Sequence, residues 1–131
     1  MKLIIYGEPM GKQRPRHGKG YTYTPQKTVN YETLVQEMWI LSNHEMLQGQ
    51  VRIEVNAYLS IPKSVSRVKR EMMLSGRTRP VKKPDWDNLG KIISDALNKL
   101  AYHDDSQIVS AHVEKWYSDK PRVEVEIEEV E

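Results

Sequence analysis

Val51-Arg52-Ile53-Glu54-Val55-Asn56-Ala57-Tyr58-Leu59 is the stretch that decides the fold. Val51, Ile53, Val55, Ala57 and Leu59 recur at every second position, the period of a strand with one face buried. Just upstream, Gly49 ends a connection, and before it Leu34, Val35, Met38 and Leu41 recur at helical spacing through about Ser42. Thr24-Pro25 supplies that helix with a capping hydroxyl and a proline at its first position. Residues 2–6 form a short strand closed by Gly7-Glu8-Pro9. Between them, Met10 to Thr24 holds three glycines, Pro15, four bases and two tyrosines without hydrophobic period, which predicts a long exposed loop.

Downstream of the central strand, Ser64 can cap a helix from about 65 to 74, and 76–84 is a basic connector. Asp87 is placed to cap a helix over 88–100, whose Leu89, Ile92, Ile93, Ala96, Leu97 and Leu100 make one apolar stripe. Residues 108–117 and 122–128 are strands, read as a hairpin around Ser118-Asp119-Lys120-Pro121, with Val123, Val125 and Ile127 facing in. The order β-α-β-α-α-β-β predicts an α+β fold: a single domain over 1–131, with a small mixed β-sheet and helices packed on one face.

Composition narrows the function. A chain of 131 residues supports one real core. With no cysteine, disulfides and thiolate metal sites are excluded, and a reducing cytoplasmic location is expected. No stretch approaches the ~20 apolar residues of a membrane span, and the apolar run at the N-terminus is too short for a signal peptide. Net charge is only +2, but it is segregated. Residues 9–31 carry five Lys or Arg and no acid, 63–83 carry eight against Glu71 alone, and 124–131 carry five glutamates and no base. That distribution predicts a basic binding face and a separate acidic edge.

Five of the six aspartates fall between 85 and 105, directly after the second basic run. At about 100° per residue, Asp87, Lys91, Asp95 and Asn98 lie within roughly 80° of one another, opposite the apolar stripe. Asp85 precedes them by two residues, so its side chain can reach the same point. Two carboxylates about 4 Å apart repel by about 4 kcal/mol at an effective dielectric of about 20. One of them takes a proton, or a cation sits between them. Oxygen-only donors select a hard ion, Mg²⁺ or Mn²⁺, over zinc. Such an ion clamps a phosphodiester and activates water, while a nearby lysine offsets charge developing at phosphorus. The bland alternative, capping by Asp87 with an i,i+4 pair to Lys91, accounts for Asp87 but not for Asp85 or Asp104-Asp105.

Lys83-Pro84-Asp85-Trp86-Asp87-Asn88-Leu89-Gly90-Lys91, then Asp95-Ala96-Leu97, then Asp104-Asp105-Ser106-Gln107-Ile108-Val109, resembles the RusA family of Holliday-junction resolvases. That family carries D-x-D-N-L-x-K, a helix with D-A-L, and D-D-x-Q-V in this order. The basic loop Gly11-Lys12-Gln13-Arg14-Pro15-Arg16 is similar to the N-terminal loop of several members. The resemblance implies a RusA-like fold in which Asp85, Asp87 and Asp105 hold metal and Lys91 is the catalytic lysine. It also implies Mg²⁺, a homodimer, and paired symmetric nicks on a four-way junction during DNA recombination or repair, in a host or a prophage. Asp104 matches the adjacent acid.

Phosphate contacts are expected from Lys12, Arg14, Arg16, Arg67, Lys69, Arg70, Arg77, Arg79, Lys82 and Lys83. Trp86 alternates away from the acids and is expected in the core, as are Trp39 and Trp116. Asp95 is expected to pair with Lys91 or Lys99, His103 to be solvated or paired, and His17 to touch phosphate or solvent. Two other classes stay open. One is a non-catalytic branched-DNA or RNA binding protein on the same scaffold; the other is a small interaction domain with merely solvated charges.

Overall fold

The computed structural model describes residues 1–131. In chain order the elements are strands β1 (Lys2–Tyr6), β2 (Arg16–Gly18) and β3 (Tyr21–Tyr23), helix α1 (Gln26–Ser42) and strand β4 (Gln50–Ser60). Helices α2 (Arg67–Leu74) and α3 (Trp86–Leu97) follow, then a 3-10 turn at Asp105–Gln107 and strands β5 (Ile108–Ser118) and β6 (Arg122–Val130). The main sheet has the order β1-β6-β4-β5, with β4 and β5 parallel and the other pairs antiparallel. It is the mixed sheet of an α+β fold, as the sequence predicts.

The alternation of β4 places Val51, Ile53, Val55, Ala57 and Leu59 on one face, each at most 4% exposed. Their register neighbours Val123, Val125 and Ile127 on β6, and Leu3 and Ile5 on β1, extend that face. Tyr31, Val35 and Trp39 of α1 and Leu89, Ile92, Ile93, Ala96 and Leu97 of α3 cover it, completing one core. Each such side chain contributes roughly 1.5–3 kcal/mol when fully buried. Helix α2 sits apart from this pair, beside β5.

Four expectations are corrected. The strands β5 and β6 are not a hairpin: β4 lies between them, and the chain strides across its end from Ser118, paired with Ser60, to Arg122, paired with Tyr58. Alternation reveals which side chains share a face but not which strand lies alongside. The stripe of α1 is also different. Thr28, Tyr31, Val35 and Trp39 are buried, while Leu41 is 78% exposed and Leu34 also faces out. Two apolar stripes compete on this helix, and the one with two large rings buries more area. The loop of 10–24 contains the short β2–β3 hairpin, turned at Lys19-Gly20 with Gly20 at φ +80°. Finally, Asp85, not Asp87, occupies the cap position of α3, and the helix stops at Leu97, where Asn98 turns to extended backbone at ψ 132° and Lys99 follows left-handed at φ +70°.

The parallel β4–β5 pair needs a long crossover. That crossover is residues 61–107, and it carries α2, α3 and every aspartate from 85 to 105.

Candidate active site

The amphipathic stripe of α3 fixes the site by exclusion. With Leu89, Ile92, Ile93, Ala96 and Leu97 buried, Asp87, Lys91 and Asp95 take the outer edge of the helix, one turn apart. Asp85 and Asp87 stand at the N-terminal end, where unpaired backbone N–H groups favour negative charge. Asp105 arrives from the other side of the crossover, on the 3-10 turn that leads into β5.

That turn is built by its neighbours. The carboxylate of Asp104 accepts from the N–H of Ser106 at 3.0 Å, and Gln107 Oε1 accepts from the N–H groups of His103 (2.8 Å) and Asp104 (3.1 Å). Gln107 Nε2 donates in turn to the carbonyls of Leu47 and Gly49. The Ser106 hydrogen bonds, with Lys99 at 3.8 Å, hold the Asp104 carboxyl below the usual carboxylate range. Asp104 is therefore the cap that sets the turn, and Asp105 beside it stays exposed and outside every ion pair of the turn.

A cleft of about 370 Å³ between α3 and the β4–β5 pair gathers Asp87, Lys91, Asp95 and Asp105. Asp85 and Asp87 together border an adjoining groove with Lys82, Lys83 and Lys115. On its other side Asp85 closes a larger groove formed by residues 9–16 and Lys83. The regional ion pairs engage Asp95 and Asp104 and leave Asp85, Asp87 and Asp105 without a cationic partner. Asp87 Oδ1 accepts only from the N–H of Asn88, at 3.0 Å. No three acidic or histidine side chains are drawn tightly enough together to form a closed metal cage. The donor chemistry, carboxylate oxygens free of ion pairs, suits a hard divalent ion, with Asp87 in both clefts, Asp105 in one and Asp85 in the other.

Asp95 joins two lysines. Its Oδ2 lies 3.3 Å from Lys12 Nζ and 3.7 Å from Lys91 Nζ. Lys12 also reaches Glu32 at 2.9 Å, its side chain is 17% exposed, and its N–H donates to Asn88 O at 2.8 Å. Burial opposes its charge, but the two carboxylates prevail and raise its pKa. Lys12 is thus an internal tether between the basic loop and α3, whereas Lys91 stays mostly exposed.

The remaining bases divide similarly. Arg14, Arg16 and Lys83 line the groove beside Asp85, and Lys82 the one beside Asp87. Arg67, Lys69 and Arg70 lie on α2, with Arg67 3.8 Å from Glu71; Arg77 is exposed just beyond it. Arg79 is held: it donates to Glu114 at 2.7 Å and to Lys115 O at 2.8 Å, and covers the Trp116 ring at 3.7 Å. This places it on the sheet face away from α1 and α3, because Trp116 pairs with Tyr58.

The tryptophans correct the sequence reading twice. Trp39 is buried, but Trp116 is only half-buried between Arg79 and Tyr58, and Trp86 is 65% exposed. Trp86 does project toward the sheet side of α3, where it borders the cleft with Asp87 and Asp105, but at this end the core no longer covers it. His103 pairs with Gln48 Oε1 at 2.9 Å and His17 with Thr22 at 3.2 Å. One residue had no sequence signal. Tyr102 is fully buried and donates to Ser94 O at 2.6 Å. Burial, followed by Asp105, Asp95 and Asp104, raises its hydroxyl pKa, which marks it as the neutral support beneath the acids.

The family model "Endodeoxyribonuclease RusA" matches residues 6–128. The chain is 42% identical over 139 residues to "Uncharacterized protein YqaN" of Bacillus subtilis (strain 168), covering 99% of this chain and 96% of that protein. It is also 49% identical over 49 residues to "Crossover junction endodeoxyribonuclease rusA" of Lactococcus phage r1t, covering 37% of each. With the family model spanning nearly its whole length, this chain belongs to the RusA endodeoxyribonuclease family.

Proposed function

We propose that this protein is a Mg²⁺-dependent, structure-specific endodeoxyribonuclease that resolves four-way junctions by paired symmetric nicks. One observation supports the reading: in a chain of the RusA family, Asp85, Asp87 and Asp105 carry no ion pair, Asp87 bordering both the α3 cleft, with Asp105, and the lysine-rimmed groove, with Asp85. Asp85, Asp87 and Asp105 would hold the ion, which when bound supplies Lewis acidity and an activated water. The rest falls to the chain. Arg14, Arg16, Lys82 and Lys83 fix the strand by its phosphates. Lys91, exposed one turn beyond Asp87, offsets the charge that grows on the phosphorus oxygens. Asp95 keeps the Lys91 ammonium at the rim through a loose 3.7 Å pair, so that it can swing to the phosphate.

A homodimer is part of the reading, because two-fold symmetry matches two sites to two opposed strands of a junction. The phage relative's name fits a recombination setting in a prophage or its host, and the lack of cysteine fits the cytoplasm. A second reading, a non-catalytic branched-DNA binder, is favoured by one observation: the three carboxylates do not form a closed cage. Cleavage mapping separates the two. A labelled four-way junction and a matched linear duplex are incubated with Mg²⁺, Mn²⁺ or EDTA. The nuclease reading expects symmetric nicks on the junction alone, only with the divalent ion. Junction binding without nicks under either ion would give the binder reading.

A further inference from the structure

The cleft that holds Asp87, Lys91 and Asp105 at its rim has an apolar floor that phosphate chemistry does not need. Val55, Ile108, Ala111 and Val113 line it, and Trp86 forms a wall. Gly90 lets α3 pass close over the floor: a Cβ there would stand 3.2 Å from Val113 Cγ2 and crowd it. Trp86 has no stacking partner. The aromatic pairs of the molecule are Tyr21–Tyr23, Trp39–His44 and Tyr58–Trp116, and its cations sit over Trp116, Tyr117 and Tyr58. The same indole borders the neighbouring groove, where fully exposed Val81 lies beside Lys82 and Lys83. A bare indole and a bare valine among lysines serve neither a core nor a solvated surface.

We propose that this cleft is a nucleobase subsite, in which one unstacked base beside the cleaved phosphate stacks on Trp86 above the Val55–Val113 floor. This rests on the nuclease reading and deepens it. A base offers two apolar faces, and the cleft offers an apolar wall and floor, with Asp87 and Lys91 at the rim left to the ion and the phosphate. Its size, about 370 Å³, lies in the range of small-molecule pockets. Lys82 and Lys83 give the surrounding groove the charge that a polyanion requires. At a branch point a base leaves its stack at the lowest cost, so the subsite selects a junction over an intact duplex.

Tryptophan emission during titration with a four-way junction in EDTA tests this. Only three tryptophans report: Trp39 is buried and Trp116 lies under Arg79, so stacking at Trp86 dominates the quench. Wild type should be quenched. Trp86→Phe should lose most of the quench but bind the junction within about twofold, and Trp86→Ala should bind about tenfold more weakly. Binding to linear duplex should be unchanged in all three. Equal junction affinity of the Phe and Ala variants, a quench that persists in Trp86→Phe, or no quench in wild type would overturn the subsite. So would a concentration-dependent emission change without DNA that Trp86→Ala abolishes, which would make Trp86 a subunit contact. Cleavage with Mg²⁺, measured in parallel, keeps the two readings apart. A protein that cleaves but fails the Trp86 comparison keeps the nuclease and loses the subsite; one that passes it without cleaving does the reverse.

Discussion

At the residue scale, the site depends on groups that hold other groups. Tyr102 is the clearest. Helix α3 ends early, Asn98 N–H turns to Asp95 O, and Ser94 O takes the Tyr102 hydroxyl in place of a helical partner. Tyr102→Phe should therefore lower stability by about 1 kcal/mol, readable in urea unfolding, and loosen the end of α3 beneath Asp95. Asp104 adds a pH dependence with a definite sign. Its carboxyl is depressed when folded, so its contribution is present above the ordinary carboxylate pKa and is lost as pH falls through the folded value. Asp104→Asn should flatten the acid limb of a pH–stability curve by lowering stability at neutral pH, leaving it nearly unchanged where the wild-type carboxyl is already protonated. An unaltered acid limb would refute that role. The exposed placement of Asp87 and Lys91 on α3 was legible from helical spacing, whereas Asp105, on the 3-10 turn, was singled out only by the family motif. The placements of Lys12 and Trp86 were not legible. Whether a lysine meets phosphate or an internal carboxylate depends on Glu32 and Asp95, which tertiary packing brings to it.

At the element scale, β4 and α3 were readable because each has a single dominant period. Helix α1 was not, since two stripes of similar apolarity compete and only packing against α3 and β1 chooses between them. The partners of β5 were not readable either. Its parallel neighbour β4 is separated from it by the entire crossover, and the short link to β6 mimics a hairpin. The basic loop is docked by close approach: a Cβ on Gly11 would lie 2.9 Å from Pro84 Cβ and 3.0 Å from Asn88 Cβ. Gly11→Ala should push the loop off the start of α3, costing about 1–3 kcal/mol of stability, with a larger fall in cleavage than in folding. Wild-type stability with wild-type cleavage would show that the loop tolerates the displacement.

At the scale of the whole molecule, charge is segregated, as the proposed phosphate contacts require. Arg14, Arg16, Lys82 and Lys83 surround Asp85 and Asp87, while the glutamates of β6 lie on the sheet, at Glu124, Glu126 and Glu128. No helix is long and apolar enough to cross a membrane. Junction affinity should fall steeply with salt. Neutralising Lys82 or Lys83 should reduce the slope of log affinity against log salt by about one per protomer. Lys12→Met should leave that slope unchanged and lower thermal stability instead, because it leaves Glu32 without its cation and Asp95 with only the loose pair to Lys91. A slope reduced by Lys12→Met would contradict its role as a tether.

The central claim is that the carboxylates of the crossover cut DNA while the bases around them hold it. Side-by-side assay of wild type and Asp85→Asn on one four-way junction, scoring cleavage with Mg²⁺ and binding in EDTA, tests it most directly. The account predicts that Asp85→Asn loses cleavage and binds as well as or more tightly than wild type, since a charge facing the phosphates is gone. Retained cleavage, or a parallel loss of cleavage and binding, would contradict it.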